Sequence, residues 1–352
     1  MNDRIARLRA EFDGLGASAF LVTKPVNVLY LTGFDSSNAA LLVGRERVVV
    51  ATDGRYFEAA EALEGAAAVL AERDLLGWVG ARLGELADAP VAFEADHVTV
   101  AAYESLTQGG TQLVPTTSVV TGLRAVKDEA ELDAIRRAAR ITDAAYERLA
   151  REELVGRTEA EVAWWMERAL RDEGADGLAF PVVVGAGPNA ARPHHHPGGR
   201  KIEAGETVIV DSGAQVGGYC ADCTRTFATG PLPESLRRAY ALCRSAQENS
   251  LTAVRAGASA SELDAIARSE IEQSGLAPVL HGLGHGVGLE VHEQPVLRPM
   301  STDTLVARNV VTVEPGVYLS GEGGVRIEDL VVVGESGPEV LSSFTKDLLT
   351  LN

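Results

Sequence analysis

The chain has 352 residues, 46% of them hydrophobic, which is enough to form two ordinary domains with their own apolar cores. Its 50 acidic and 32 basic residues give a formal net charge of −18, which repels phosphate backbones and argues against nucleic acid as a partner. The sequence contains no signal-like apolar core and no membrane-length apolar run, so we expect a cytoplasmic protein without a membrane partner.

The first third of the chain alternates helical and strand-like segments. Charged and apolar residues follow helical spacing over 3–14, and apolar runs near 18–22, 39–43 and 47–51 predict strands. The alternation continues to about residue 115. This pattern predicts an α/β domain over residues 1–122, followed by a second domain over residues 123–352.

Four helices are predicted in the second domain, in two pairs. The segments from Asp128 to Glu131 and from Thr158 to Glu161 have capping-box spacing, and apolar residues then recur every three or four positions. Two more helices fit residues 233–256 and 259–274. Each pair precedes a segment rich in strands, which predicts an α+β domain made of two related halves.

The first strand-rich segment carries Asp211 and Asp222 around a glycine-containing reversal, a pattern typical of a β-hairpin. If Asp211 lies opposite Asp222, then Gln215 lies opposite Gly218, and Val216-Gly217 forms a two-residue loop. Opposed residues have Cβ atoms about 4.5–5.5 Å apart. Their carboxylates could then bind two ions roughly 3.5–4 Å apart.

A second hairpin repeats this arrangement. Glu314 and Glu328 flank a glycine-rich turn centred near Gly321, which sets the two acids opposite each other. Unpaired facing carboxylates would repel, and a bound cation removes that cost. A single acid at a strand end is more often a solvated surface group, but two matched hairpins favour a metal site.

Three histidines, His281, His285 and His292, lie in a glycine-rich segment over residues 281–292. Glycines let backbone or ligand approach closely, and histidine serves both as a metal ligand and as an acid or base near neutral pH. A lone histidine would more often be a core residue with satisfied hydrogen bonds. The spacing of the three favours a functional site.

These residues resemble a known family, the metallopeptidases of the pita-bread fold, which includes methionine aminopeptidases, Xaa-Pro aminopeptidases and prolidases. The resemblance covers nearly the whole chain and rests on the Asp-Ser-Gly hairpin with its Tyr-Cys-Ala-Asp run, on Gly-His-Gly-Val-Gly, on Val-Glu-Pro-Gly and on Arg-Ile-Glu-Asp. It implies a pita-bread catalytic domain with pseudo-twofold symmetry. It also implies five metal ligands, two of them (Asp222 and Glu328) bridging both ions: Asp211, Asp222, His285, Glu314 and Glu328.

The resemblance implies roles for the remaining polar residues as well. Glu314 would also act as general base, while His194, His281 and His292 would bind the substrate or stabilise the tetrahedral oxyanion. Arg326 precedes Glu328 by two residues and shares its strand face. We expect Arg326 to form a structural ion pair, with substrate binding as the alternative.

His194 is the first of three adjacent histidines, which together also fit a separate metal-binding tract. In the family, a substrate-site histidine precedes the first aspartate by seventeen residues, and His194 has that spacing from Asp211. We therefore assign His194 to the substrate site, and His195 and His196 to a loop.

The types of ligand indicate which metal would bind. One imidazole among four carboxylates favours two Mn²⁺ ions, and Co²⁺ or Zn²⁺ also fit.

The three cysteines are Cys220, Cys223 and Cys243. They cannot all pair within one chain, and they fit a reducing compartment. Cys220 and Cys223 have the spacing of a redox or zinc motif, but no second pair accompanies them.

The substrate follows from the first domain, because residues 22–33 and 51–56 resemble the N-terminal domain of the proline-specific members. This implies hydrolysis of the Xaa-Pro bond in small proline-containing peptides, by a protein that commonly forms homodimers. Archaeal-type prolidases carry an arginine where this chain has Val296, although Arg298 and Arg192 are nearby cations. A dipeptidase should bind the terminal carboxylate with a fixed charge. We therefore expect an Xaa-Pro aminopeptidase, with an Xaa-Pro dipeptidase as the alternative.

A second class of function has to be weighed. Pita-bread folds also serve as metal-free creatinase-like enzymes and as binding modules without catalysis. Those members lose metal ligands, whereas this chain retains all five, which favours a working metallopeptidase.

Overall fold

The computed structural model describes residues 1–352 and divides into two compact units, Met1–Arg124 and Ala125–Asn352. The division falls two residues after the predicted boundary of 122. No helix in the structure is long and apolar enough to cross a lipid bilayer.

The N-terminal unit contains one mixed six-stranded sheet, in the order β4-β3-β2-β1-β5-β6. Its strands are β1 (Ala19–Val22), β2 (Ala39–Gly44), β3 (Val48–Thr52), β4 (Ala67–Leu70), β5 (Val91–Glu94) and β6 (Leu113–Thr116). Its helices are α1 (Asn2–Ala10), α2 (Phe12–Leu15), α3 (Pro25–Thr32), α4 (Phe57–Glu61), α5 (Leu75–Leu86), α6 (Val100–Thr107) and α7 (Val119–Ala125), the last ending at the division. The predicted α/β domain and its first three strands are confirmed.

The central strand explains this architecture. All four residues of β1 are buried, because β1 pairs antiparallel with β2 and parallel with β5 and is covered on both faces. Such strands are continuously apolar rather than alternating. On one face Leu21 and Leu42 pack with Val79 and Leu83 of α5.

The C-terminal unit contains four long helices and four small sheets. The helices are α8 (Glu129–Leu149), α9 (Glu159–Asp172), α10 (Glu234–Ala253) and α11 (Ala260–Gln273), with a 3₁₀ turn at Gly187–Ala191. The strands are β7 (Gly177–Leu178), β8 (Val183–Ala186), β9 (Thr207–Ser212), β10 (Ala214–Val216), β11 (Tyr219–Cys220), β12 (Cys223–Ala228), β13 (Gly284–Gly286), β14 (Glu293–Leu297), β15 (Val310–Val313), β16 (Gly316–Leu319), β17 (Gly323–Arg326), β18 (Asp329–Val333) and β19 (Pro338–Val340). All four predicted helices are present.

Both predicted capping boxes form. The Asp128 carboxylate accepts from the Glu131 N–H at 2.9 Å, and the Glu131 carboxylate accepts from the Asp128 N–H at 2.8 Å. Thr158 and Glu161 make the same reciprocal pair at the start of α9. Each box satisfies backbone donors that the first helical turn leaves unpaired, and so fixes where the helix begins.

Two apolar cores correspond to the two halves of this unit. Residues of α8 and α9 pack in the first core, and residues of α10 and α11 pack in the second. Strand β15 contributes to both, because Val310 faces the first core and Val311 faces the second. The sheet that carries β13, β15 and β18 therefore lies between the helix pairs, as expected for a pita-bread fold with two related halves.

The predicted register of the first hairpin is wrong. Asp211 lies opposite Thr224 rather than Asp222, and Val216 pairs with Tyr219, so the loop is Gly217-Gly218. Both glycines have positive φ, 58° and 84°, as a type I′ turn requires. The predicted loop would have placed the β-branched Val216 in that conformation, which is sterically costly.

In the observed register, Asp211 and Asp222 still lie on one face of the hairpin. Moving the partner strand by two residues preserves the alternation of side chains, so Asp222 occupies the position diagonal to Asp211. The register of the second hairpin is confirmed, since Gly316 pairs with Arg326 and Leu319 with Gly323, around a turn in which Gly321 has a φ of 81°. Glu314 and Glu328 flank this ladder at matching positions.

We predict that Gly217→Ala destabilises the C-terminal unit by about 1 kcal/mol, because alanine is strained at positive φ. No atom lies within 4 Å of a Cβ built at Gly217, so the loss is a backbone effect. Gly217→Asn should recover much of the loss, because asparagine tolerates this conformation. Denaturant unfolding measures the difference, with Gly337→Ala, also in open space, as the control. Equal losses from the two alanine variants would contradict the turn assignment.

Candidate metal centre

The five predicted metal ligands lie within strands or directly beside them. Asp211 lies in β9, Asp222 between β11 and β12, His285 in β13, Glu314 just after β15 and Glu328 just before β18. The structure brings ligand atoms of Asp222, His285 and Glu328 within 4.8 Å of one another. These three alone could coordinate one ion.

Glu314 joins this group through the imidazole of His285. His285 Nε2 is 3.2 Å from Glu314 Oε1 and 3.7 Å from Asp222 Oδ2. The other ring nitrogen, Nδ1, is 3.1 Å from the carbonyl oxygen of Gly286. A proton on Nδ1 would donate to that carbonyl and leave the Nε2 lone pair facing the acids, which is the tautomer that binds a metal.

Asp211 has one carboxylate oxygen paired and one unpaired. Its Oδ2 forms an ion pair with Arg326 Nη2 at 2.6 Å, so the ion pair predicted for Arg326 is present. Its Oδ1 is buried without a hydrogen-bond partner. Leaving a charged oxygen buried and unpaired is costly, and a cation would satisfy it. The donor set and this oxygen fit divalent metal ions.

The acids of the site perturb one another strongly. Burial first, and then repulsion from Glu328, Asp211 and Glu314, raise the pKa of Asp222 well above its usual range. Burial and repulsion from Glu314 and Asp211 do the same to the pKa of Glu328. Burial also raises the pKa of Asp211, against the opposing charge of Arg326. All four acids therefore interact within one small volume.

Glu314 behaves differently from the other three acids. Burial acts to raise its pKa, but the hydrogen bond and charge of His285, with smaller effects of His281 and Arg326, outweigh burial and lower the pKa to about 2. Thr312 Oγ1 also donates to Glu314 Oε1 at 3.2 Å. Glu314 is thus the acid of this group that the protein itself stabilises as a carboxylate.

Arg326 is almost fully buried, with a side chain 4% exposed. Besides Asp211, it donates to Thr224 Oγ1 at 3.1 Å, to the Tyr318 hydroxyl at 3.2 Å and to the carbonyl of Pro193 at 3.3 Å. Through these contacts the guanidinium fixes the positions of Asp211, Thr224, Tyr318 and the backbone at Pro193.

The three other predicted site histidines lie near the acids. His281 has both ring nitrogens engaged, Nε2 with the Tyr318 hydroxyl and Nδ1 with the carbonyl of Gly282, each at 2.8 Å. The ring centroids of His285 and His292 are 4.2 Å apart. Burial lowers the pKa of His281 and His292, and the charge of His194 contributes to lowering both. His194 and His292 have exposed side chains.

The three adjacent histidines have different surroundings. His195 Nε2 lies 2.8 Å from Glu159 Oε2, a carboxylate buried at the start of α9, whereas His194 and His196 are exposed. The hydrogen bond between His195 and Glu159 was not predicted from the sequence.

Thr224 and Tyr318 are two further site residues that the sequence analysis missed. Thr224 Oγ1 donates to Glu328 Oε2 at 2.7 Å, and the Tyr318 hydroxyl lies between His281 and Arg326. The correct hairpin register, which the paired glycines at 217 and 218 signal, would have placed Thr224 opposite Asp211. Nothing in the local sequence around Tyr318 indicates that it belongs to the site.

All three cysteines are free and buried. Burial raises the pKa of Cys223 well above its usual range and raises that of Cys243 to about 12, so neither supplies a thiolate near neutral pH.

Comparison with known proteins agrees with this geometry. The family model for metallopeptidase family M24 matches residues 133–335, more than half of the chain, and the model for the creatinase/prolidase N-terminal domain matches residues 4–126. A probable dipeptidase of Mycobacterium tuberculosis is 34% identical, covering 99% of this chain and 96% of the relative.

Two solved structures are similar along their whole length. The Xaa-Pro dipeptidase from Bacillus anthracis superposes with a TM-score of 0.93 at 34% identity, covering 99% of each chain. The X-Pro aminopeptidase from Thermotoga maritima has a TM-score of 0.86 at 30% identity, covering 97% of this chain and 99% of that one. The family inferred from the sequence motifs is confirmed, and the chain belongs to metallopeptidase family M24, with a creatinase/prolidase N-terminal domain.

Proposed function

We propose that the protein hydrolyses the peptide bond preceding proline in short peptides, with two divalent metal ions, and acts as an Xaa-Pro aminopeptidase. The observation that carries this proposal is the approach of three acids, Asp222, Glu314 and Glu328, to the His285 imidazole, with Asp211 near enough to help raise the pKa of Asp222. Similarity to enzymes named Xaa-Pro dipeptidase and X-Pro aminopeptidase supports the proline specificity.

Five residues would hold the ions: Asp211, Asp222, His285, Glu314 and Glu328. When bound, two divalent ions supply a water acidic enough to attack near neutral pH and polarise the scissile carbonyl. Oxygen donors with one imidazole and no thiolate support Mn²⁺ as the resident ion, with Co²⁺ or Zn²⁺ as substitutes.

The side chains of the site divide the remaining tasks. We assign Glu314 as the general base that accepts the proton of the attacking water, because its carboxylate lies within the group of proposed ligands, 3.2 Å from His285 Nε2. We assign contact with the peptide to His194 and His292, both of which are exposed. His281 orients Tyr318, because both of its nitrogens already bind protein groups. Arg326 holds Asp211 in place rather than binding substrate.

Val296 supports aminopeptidase over dipeptidase activity. It lies in β14 opposite His285, at the position where archaeal-type prolidases have an arginine, and it offers no charge for a substrate carboxylate. A peptide extended beyond proline needs no such charge at this position.

Dipeptidase activity is the second candidate, and two observations favour it. The relatives from B. anthracis and M. tuberculosis carry dipeptidase names. In this chain Arg298, an exposed residue, packs against Gly282 next to His281, so its guanidinium is a candidate to bind a terminal carboxylate. Homodimer formation and a cytoplasmic location stay predictions.

We predict that Asp222→Asn lowers turnover of an Xaa-Pro peptide by more than about 100-fold, because it removes the charge of a carboxylate that would hold the ions. Metal analysis of the purified variant should show fewer than two Mn²⁺ per chain. Asp347→Asn is the matched control, since Asp347 is an exposed acid paired with Arg244. It should retain both ions and full turnover.

A different outcome would point to the other class of pita-bread protein. Activity that persists at full level in Asp222→Asn and after chelation of divalent ions would contradict the dinuclear proposal and favour a metal-free, creatinase-like enzyme.

A matched set of peptides distinguishes the two peptidase candidates. With added Mn²⁺, we predict that Xaa-Pro-Yaa is cleaved at least as fast as Xaa-Pro and that Xaa-Ala is a poor substrate. Arg298→Ala should leave cleavage of the tripeptide unchanged. Cleavage of the dipeptide alone, with a KM that rises in Arg298→Ala, would instead establish dipeptidase activity.

A further inference from the structure

Glu159, outside the metal centre, is a buried carboxylate with an unusual set of partners. Its side chain is 0% exposed although it belongs to the first turn of α9. It accepts hydrogen bonds from the Ala186 N–H and Asn189 Nδ2, both at 3.0 Å, and from the Gly198 N–H at 3.3 Å. His195 Nε2, at 2.8 Å, completes the set.

These partners come from both ends of one segment, residues 186–198. Ala186 and Asn189 lie at its beginning, and His195 and Gly198 at its end. The Ala160 N–H of α9 also donates to the Gly198 carbonyl at 3.1 Å. A buried carboxylate is stable only when its oxygens are satisfied, so Glu159 holds the two ends of this segment together.

His194 lies inside this segment, between two fixed neighbours. On one side, the carbonyl of Pro193 accepts from Arg326, the same guanidinium that pairs with Asp211. On the other side, the ring of His195 contacts Glu159. The side chain of His194 is exposed, while that of His195 is only 12% exposed. The backbone of His194 is therefore restrained from both directions, and its imidazole is free to meet a substrate.

We propose that Glu159 is a positioning residue that acts through His195 to orient His194 toward the substrate. The proposal rests on the proposed function, in which His194 contacts the peptide. It assigns a task to a carboxylate that lies outside the five proposed metal ligands.

A double-mutant cycle tests this proposal. Glu159→Gln should lower kcat/KM by about 10- to 100-fold, the cost of misplacing a catalytic group by about 1 Å. His194→Ala should change the same parameter, whether kcat or KM. If Glu159 acts through His194, adding Glu159→Gln to His194→Ala produces little further loss. Losses that multiply in the double variant would overturn the proposal.

Two further variants keep the test informative if Glu159→Gln folds poorly. His195→Ala removes the tether from the segment side and should reproduce the kinetic loss, whereas His195→Gln retains an N–H donor and should restore part of it. Glu161→Gln is the matched control, because Glu161 lies in the same helical turn but bonds only to Thr158. Wild-type kinetics in a folded His195→Ala would contradict the proposal.

Hydrogen exchange separates this proposal from the proposed function. In both Glu159→Gln and His195→Ala, amides of residues 186–198 should exchange faster, while Mn²⁺ content is unchanged. If residues 186–198 exchange faster in the variants but the wild-type protein cleaves no Xaa-Pro peptide, the proposed function is wrong, whereas the structural role of Glu159 in holding this segment is supported. If Xaa-Pro cleavage is present but exchange and kinetics are unaffected by either variant, the positioning role fails.

Discussion

The structure depends on an imbalance of buried charge. Three carboxylates, those of Asp222, Glu314 and Glu328, lie close to the His285 imidazole, and Arg326 pairs with one oxygen of the fourth, Asp211. Burial and mutual repulsion raise the pKa of Asp211, Asp222 and Glu328. Such a group is costly without additional positive charge, and two divalent ions supply it. The fold therefore holds the acids so close together that their repulsion is relieved either by protonation or by bound cations.

The two hairpins are joined directly at the metal centre. The Glu328 N–H donates to the Thr224 carbonyl at 3.1 Å, and the Thr224 hydroxyl donates to the Glu328 carboxylate. Arg225, 2% exposed, donates to the Glu328 carbonyl and pairs with Asp329 at 2.8 Å. These bonds link a strand of the first half to a strand of the second. The position of Glu328 is thus set by both halves of the C-terminal unit.

Local sequence signals predicted most of the fold, because capping boxes, apolar periodicity and glycine-rich turns act over a few residues. Asp128 and Thr158 mark helix starts whichever tertiary structure follows. The register of the first hairpin differs from the predicted one because the positive φ of Gly217 and Gly218, rather than the opposition of two acids, determines which residues form the turn. Asp211 and Asp222 nevertheless lie on the same face, because a shift of two residues preserves the alternation of side chains along a strand.

Glu159 and Tyr318 could not be predicted from the sequence, because their partners are distant along the chain. Glu159 and His195 are 36 residues apart, and Tyr318 and His281 are 37 apart. A buried acid in a first helical turn looks the same in sequence as an ordinary capping acid such as Glu161. Only the tertiary structure shows that one of the two bonds to the segment carrying His194.

Anomalous X-ray scattering from crystals grown with Mn²⁺ tests the central claim most directly. We expect two strong peaks about 3.5–4 Å apart, the spacing typical of dinuclear hydrolases. The ligands should be Asp211, Asp222, His285, Glu314 and Glu328, with Asp222 and Glu328 contacting both ions. A fully active crystal form with no ion among these residues, or with ions bound elsewhere, would contradict the account.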